Sequence, residues 1–452
     1  MDRIRKWIAS PTAEYEPIQE PVAYEDDLDA PATRTPTGPP FSRPVYWVFF
    51  ILGVSMLWAW NMFLAAAPFF HQRFQSDKWA TTHYQSSILT VSTVTNLGSV
   101  FALAKLQESA SYPRRIIVSL LINIVVFTLL AFSTVVLKDS SVGVYFGFVM
   151  VMVFGTSMAT GINQNGVFAY VSGFGREEYT QAIMGGQGVA GVLPPLAQML
   201  SSLAVPQEDH NEEQAPDASW KSAFACFITA TGVSCLTLVS FAWLTKRQSL
   251  HILDDQSSHH QSINDSDDPA SSKPQKTVGL WSLFLKLRLP AISIYLCFAM
   301  TMIFPVYTSQ IVSVNSSTSS RLFDPAVFIP LAFFFWNAGD LLMRMLVLNP
   351  RYSLAHRPYA LLILAIARAG FIPLYLLCNV DGKGAVVQSD FFYLFIVQLL
   401  FGATNGYLSS CCMMGAGYFV PAEEREPAGG FMSVMLVAGL ATGSLLSFFA
   451  SG

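Results

Sequence analysis

Charge is what this chain has least of. Of 452 residues only 12% are Asp, Glu, Lys or Arg, against 52% hydrophobic and 13% aromatic, and mean hydropathy is +0.43. Soluble domains carry about 25% charged residues, so a soluble fold is excluded and a membrane protein is implied. No excess of base offers a nucleic-acid surface, because the net charge is −4. Cysteine is scarce too. The six (Cys226, Cys235, Cys297, Cys378, Cys411, Cys412) fall in apolar segments without zinc-ligand or disulfide-framework spacing, and read as small apolar side chains. A Gly-rich phosphate loop, a Ser-His-Asp set and paired loop carboxylates are all missing, which leaves an enzyme reading no support and calls for no cofactor or metal. Nothing near the start pairs a short apolar core with a small-residue cleavage site, so no removable signal peptide is expected.

What the chain has is long apolar runs. From Val45 onward they recur at about the length that spans a bilayer, near 45–70, 84–106, 116–137, 143–172, 179–204, 220–244, 289–312, 326–348, 358–379, 390–419 and 427–450. The expected fold is an all-α integral membrane protein with eleven transmembrane helices in two bundles of six and five. Residues 1–44 hold eight prolines and an acidic Glu25-Asp26-Asp27 run, and read as a disordered tail. The domains that follow are a six-helix bundle over 45–244, a Ser/Asp/Gln-rich flexible linker over 245–288 and a five-helix bundle over 289–452. With the N-terminus in the cytosol, eighteen of the 26 Lys and Arg fall in inner segments and six in outer ones, while Arg344 and Arg368 lie within spans. That bias favours a cytosolic N-terminus and an outer C-terminus. Of two glycosylation sequons, at Asn264 and Asn315, only Asn315 falls on the outer side.

Inside the spans a few polar groups stand out. Asn337, Asp340 and Arg344 share one face of the eighth span at helical spacings of three and four. A charge at mid-membrane costs roughly 2.5–3.5 kcal/mol on insertion scales, so this line marks either a path for something polar or a salt bridge that fixes helix rotation. The two roles are compatible. Trp60 sits mid-span on the face of Gly53, Leu57 and Leu64, with Asn61 beside it. Its ring suits stacking on a planar ligand such as a nucleobase; as core filler it would need an N–H partner. In Gly161-Ile162-Asn163-Gln164-Asn165-Gly166, consecutive amides must line a cavity or pair across helices. Gly161, Asn165 and Phe168 share a face, so Gln164 and Asn165 cannot both be central. Arg368 has no acid in its own span, and a structural partner across the bundle is expected. Gly185-Gly186-Gln187-Gly188 with Gly191, Gly402 with Gly406, and Gly439 with Gly443 mark close helix approach.

In series these strings resemble the equilibrative nucleoside transporter family, in a fungal-type form. Trp60-Asn61 with Phe63 and Pro68, Phe304-Pro305, Phe328-Ile329-Pro330, the N-x-x-D-x-x-x-R of Asn337, Asp340 and Arg344, and Arg368 with Phe371, Pro373, Cys378 and Asn379 carry the likeness. So do Gly161, Gly166, Gly185-Gly186-Gln187-Gly188, Asn405-Gly406-Tyr407-Leu408 and Pro421-Ala422-Glu423. The resemblance covers residues 45–450. It implies a major-facilitator-like fold with a midplane site and alternating access, moving purine and pyrimidine nucleosides by facilitated diffusion. By carry-over Trp60 would meet the base and Leu57 line the cavity, while Asp340 and Arg344, beside Asn337, would hold the ribose. Gly161 would leave room for substrate, Gln164 or Asn165 would face the base edge, and Asn61, Arg368 and Gly406 would serve structure or gating. Ala59 stands where the family has proline, which predicts an unkinked first helix there. The implied partners are nucleosides and the lipid bilayer, without nucleic acid, around a monomer. The alternatives are a proton-coupled nucleoside or nucleobase carrier using Asp340, and a receptor that binds nucleosides without moving them. A plasma-membrane and a vacuolar or endomembrane location stay equally open.

Overall fold

Residues that cap a helix, or cannot continue one, set the boundaries of the fold. In the computed structural model, which describes residues 40–106, 111–138, 140–204, 216–260, 278–315 and 320–450, α1 (Arg43–Ala65) carries proline in its first turn, where the missing N–H is one the helix leaves unbonded anyway. It is continuous through Ala59 and breaks at Ala66 before α2 (Ala67–Phe74), because Pro68 has no N–H for the Leu64 carbonyl. Asp77 opens α3 (Lys78–Lys105) by accepting from the Trp79 and Ala80 amides at 2.9 and 3.1 Å. There follow α4 (Tyr112–Val136), α5 (Val142–Gly173), α6 (Glu177–Ala204) and α7 (Pro216–His260).

The second half holds α8 (Leu280–Thr301), α9 (Ile303–Gln310), α10 (Pro325–Leu346), α11 (Pro358–Ala367), α12 (Phe371–Leu376), α13 (Leu400–Gly415) and α14 (Arg425–Ala450). Asp324 caps α10, accepting from the Ala326 amide at 3.1 Å. The expected ninth span is broken: a 3-10 turn, Arg368–Gly370, separates α11 from α12, and it contains Ala369, whose carbonyl gains no helical donor from Pro373. A π-helical stretch, Phe392–Leu399, leads into α13.

Ten helical segments among the described residues are long and apolar enough to cross a membrane. The eleventh expected span, α6, has 28 residues and two internal prolines, and its Gly and Gln content dilutes its apolar character. Its glycines explain its place. Gly53 lies against the Ile183 carbonyl and Gly186 against that of Phe50, so a Cβ at either would strike backbone across the α1–α6 contact. On another side Gly185, Gly188 and Gly191 face Met345, Leu341 with Arg344, and Asn337 of α10. A helix so coated with glycine serves as the spine between the first-half α1 and the second-half α10.

The expected 245–288 linker needs correction. Helix continues through residue 260 in α7 and resumes at Leu280 in α8, and residues 261–277 and the N-terminal tail through residue 39 lie outside those described.

The apolar cores divide unevenly. At the end bearing Arg115 and Lys286, side chains of α1, α4, α5 and α6 form one cluster with those of α8, α11, α13 and α14. Towards the opposite end the cores are separate, one built from α1, α2, α3, α4, α5 and α7 and the other from α9, α10, α12, the π-helical stretch and the start of α13. Gly429 of α14 touches the Phe168 carbonyl and Ser172 hydroxyl of α5, and Gly430 abuts Asn165. The two halves are therefore closed on each other at one end.

Candidate functional site in the bundle interior

Asp340 and Arg344, both 4% exposed, form the centre. Arg344 Nε donates to Asp340 Oδ2 at 2.6 Å within α10. Arg344 Nη1 reaches into α6, donating to the Met184 carbonyl at 3.1 Å and to Gln187 Oε1 at 3.3 Å. The other carboxylate oxygen, Oδ1, accepts from Asn405 Nδ2 of α13 at 2.7 Å. This reach is possible because Gly406 seats α13 directly on the Asp340 backbone carbonyl, and Gly402 and Gly339 repeat the contact one turn away. Gly406, expected to serve structure or gating, brings the two helices close here. Arg344 Nη2 has no hydrogen bond among the described residues, so the pair keeps a donor for a ligand.

The contacts of α6 serve as a ruler for depth. Gln187 is level with Arg344 on one side and with Met56 of α1 on the other, where its Nε2 lies 3.8 Å from the sulfur. One turn further Ala190 is level with Asn61, whose Nδ2 donates to the Ala190 carbonyl at 2.8 Å, and Gly191 with Asn337. Leu57 and Trp60 lie between these levels, at the depth of Asp340. Both are partly buried; the Trp60 ring stacks on Phe63 at 6.0 Å with planes 9° apart. Asn337 turns its Nδ2 back to the Phe333 carbonyl at 2.9 Å, leaving its oxygen towards Gly191. Asn61 repairs a gap in α6, since Pro194 cannot donate to the Ala190 carbonyl and the Asn61 amide donates in its place.

The amides of α5 separate as their angular spacing predicts. Asn165 Oδ1 accepts from Arg115 Nη1 of α4 at 2.6 Å, which commits it to the closed end. Gln164, 6% exposed, has a buried Oε1 without a partner, as has Asn163 Oδ1. Gly161 does not leave space for a ligand. Its bare Cα admits Asn96 and Ser99 of α3, and a Cβ would come within 2.8 Å of Ser99 Cβ, so that expectation is corrected to helix packing. Arg368, 1% exposed, finds hydroxyls rather than an acid: Thr404 at 3.1 Å and Thr301 at 3.2 Å, with its guanidinium 4.4 Å from the Phe401 ring centre. Asn315 is exposed, its Nδ2 donating to Asp390 at 2.8 Å.

Sequence reasoning missed Gln187, Asn405 and Thr301 as site residues, although an isolated amide in an apolar span, as at 405, was a usable signal. It also missed Trp336, 7% exposed with its indole N–H unpartnered and its ring stacked 4.3 Å from Phe304. No group of His, Cys, Asp and Glu among the described residues could hold a metal.

A helical membrane body with glycine-spined interfaces and a buried ion pair at its centre is that of a multi-pass transporter with major-facilitator architecture. Solved structures agree on the fold. The outward conformation of FucP, a Major Facilitator Superfamily transporter, aligns with a TM-score of 0.52 at 12% identity over 90% of this chain and 98% of that one. The proton:xylose symporter XylE aligns with 0.57 at 11% identity over 89% and 87%. Residues 148–451 match the family described as Nucleoside transporter. The chain is 30% identical to the nucleoside transporter FUN26 of Saccharomyces cerevisiae, covering 89% of this chain and 83% of that protein. It is 28% identical to equilibrative nucleoside transporter 2 of Mus musculus, over 88% and 95%. The chain belongs to the nucleoside transporter family.

Proposed function

We propose that this transporter moves purine and pyrimidine nucleosides down their gradients, with the ribose held by Asp340 and Arg344, the base stacked by Trp60 beside Leu57, and Gln164 rather than Asn165 reading the base edge. One observation carries the reading: a buried carboxylate–guanidinium pair that retains a free donor, at the depth of a mid-span tryptophan. A sugar's vicinal hydroxyls suit such a pair, since each donates to a carboxylate and accepts from a guanidinium. The unpartnered Gln164 oxygen supports its role, and the Arg115 bond to Asn165 argues against the neighbour.

Facilitation is favoured over proton coupling because both Asp340 oxygens already accept hydrogen bonds, and protonation would forfeit the charge-assisted one. The positive-inside count supports a cytosolic N-terminus, so the closed end faces the cytosol and the protein is outward-facing. It acts as a monomer in the bilayer, with the first-half (α1–α7) and second-half (α8–α14) bundles rocking about the site.

The test is labelled-nucleoside uptake into liposomes, normalised to folded protein, for Asp340→Asn, Arg344→Gln and the double variant. Loss of one partner of a buried pair costs about 3–5 kcal/mol, more than loss of both. The double variant is expected to fold better than either single one and still fail to transport. Near-normal ribonucleoside uptake by the double variant would reduce the pair to scaffolding. Wild-type uptake unaltered by a pH gradient or an uncoupler is the expected mark of facilitation.

A further inference from the structure

The hydrogen bonds leading away from Asp340 have a direction that chemistry fixes at both ends. Arg368 can only donate, and a carboxylate can only accept. Between them lie a hydroxyl and an amide. Arg368 Nη2 donates to Thr301 Oγ1 at 3.2 Å, Thr301 donates to Asn405 Oδ1 at 2.7 Å, and Asn405 Nδ2 donates to Asp340 Oδ1 at 2.7 Å. The Asn405 amide cannot be turned over, because its oxygen would then face a carboxylate. Thr301 shares its one proton with the Cys297 carbonyl, also at 2.7 Å, and the Cys297 thiol lies 3.3 Å from Asn405 Oδ1. Thr301, Asn405 and Arg368 are all buried, where linked donors polarise one another.

Two members of this chain stand where helices break. Thr301 is the last residue of α8, four ahead of Pro305, and Arg368 opens the 3-10 turn between α11 and α12. Both breaks are therefore tied, through one amide, to the carboxylate at the site.

We propose that Arg368, Thr301 and Asn405 form a one-way relay of donors that positions Asp340 for the ribose, with Arg368 acting through its partners and never touching substrate. The proposal rests on the reading that Asp340 holds the ribose. The relay fixes Oδ1, so that the carboxylate presents its remaining lone pairs in one orientation. It also makes the two helix breaks sensitive to what binds Asp340.

The experiment compares adenosine with 2′,3′-dideoxyadenosine in proteoliposomes, measuring KM and Vmax for wild type, Thr301→Val, Thr301→Ala and Thr301→Ser. Removing the hydroxyl is expected to raise the adenosine KM about tenfold, from the loss of one buried bond in a charge-linked chain. The dideoxy substrate, lacking the hydroxyls that Asp340 would hold, should change by less than about twofold, and Ser should restore adenosine affinity. Thr301→Ala carries the same deletion with less bulk, so the test survives if the valine fails to pack. An adenosine KM that stays at the wild-type value, or equal losses for both substrates, would overturn the relay. Wild-type protein that does not distinguish the two substrates would instead overturn the ribose reading beneath it.

Discussion

Trp60 shows what a single residue reveals and withholds. A mid-span tryptophan was open to two readings, ligand stacking or core filling. The ring is partly buried, packs against the first-half core and stacks on Phe63, and its level with Asp340 is the ground for proposing the first. Trp60→Ala should raise the KM for nucleosides about five- to 150-fold, since stacking is worth roughly 1–3 kcal/mol per base in other base-binding proteins. The amount of folded protein should change little. Wild-type KM with less folded protein would make the ring packing alone. Asp340 and Arg344 were legible because charge is so costly in an apolar span. Gly161 was misread because a glycine says only that something approaches, and α3 supplies the something.

The instructive element is α6. Two prolines and four glycines in 28 residues make a poor isolated helix, yet each defect has a partner. The Asn61 bond to the Ala190 carbonyl offers a clean test. Asn61→Leu should lower stability by about 1–3 kcal/mol, the cost of a buried acceptor left bare. Adding Pro194→Ala should recover most of that loss, because the helix then supplies its own donor. Thermal unfolding in detergent measures both, and equal destabilisation in the presence and absence of Pro194 would rule out the pairing. Gly406 supplies a second test. Gly406→Val should abolish uptake by forcing α13 off the Asp340 carbonyl, whereas Gly98→Ala, with open space about it, should leave uptake near wild type. If Gly406→Val transports normally, the close approach does not matter.

At the scale of the whole molecule the cores are joined at one end and divided at the other, which is the geometry of a carrier closed on one side. Lys and Arg bias is the ground for the proposal that this side faces the cytosol. Asn315 should therefore be glycosylated at the outer face when the protein is made in a eukaryotic cell, giving a mobility shift that glycosidase removes and Asn315→Gln abolishes. Modification at Asn264 would invert the topology. Glycan addition replaces one of the two Nδ2 hydrogens, so Asn315 keeps an N–H that can still donate to Asp390.

The helical membrane class, the interior ion pair and the glycine faces could be read from the chain because bilayer physics acts on each helix separately: it demands about twenty apolar residues, penalises charge, and rewards small residues where helices meet. Partner choice is a matter between helices, and only the tertiary structure decided it. It sent Asn165 to Arg115 and left Gln164 bare, carried Asn61 to the carbonyl that Pro194 abandons, and gave Arg368 two hydroxyls instead of an acid. Each of those bonds joins residues from 36 to 129 positions apart, and no local periodicity encodes which helix will stand opposite which.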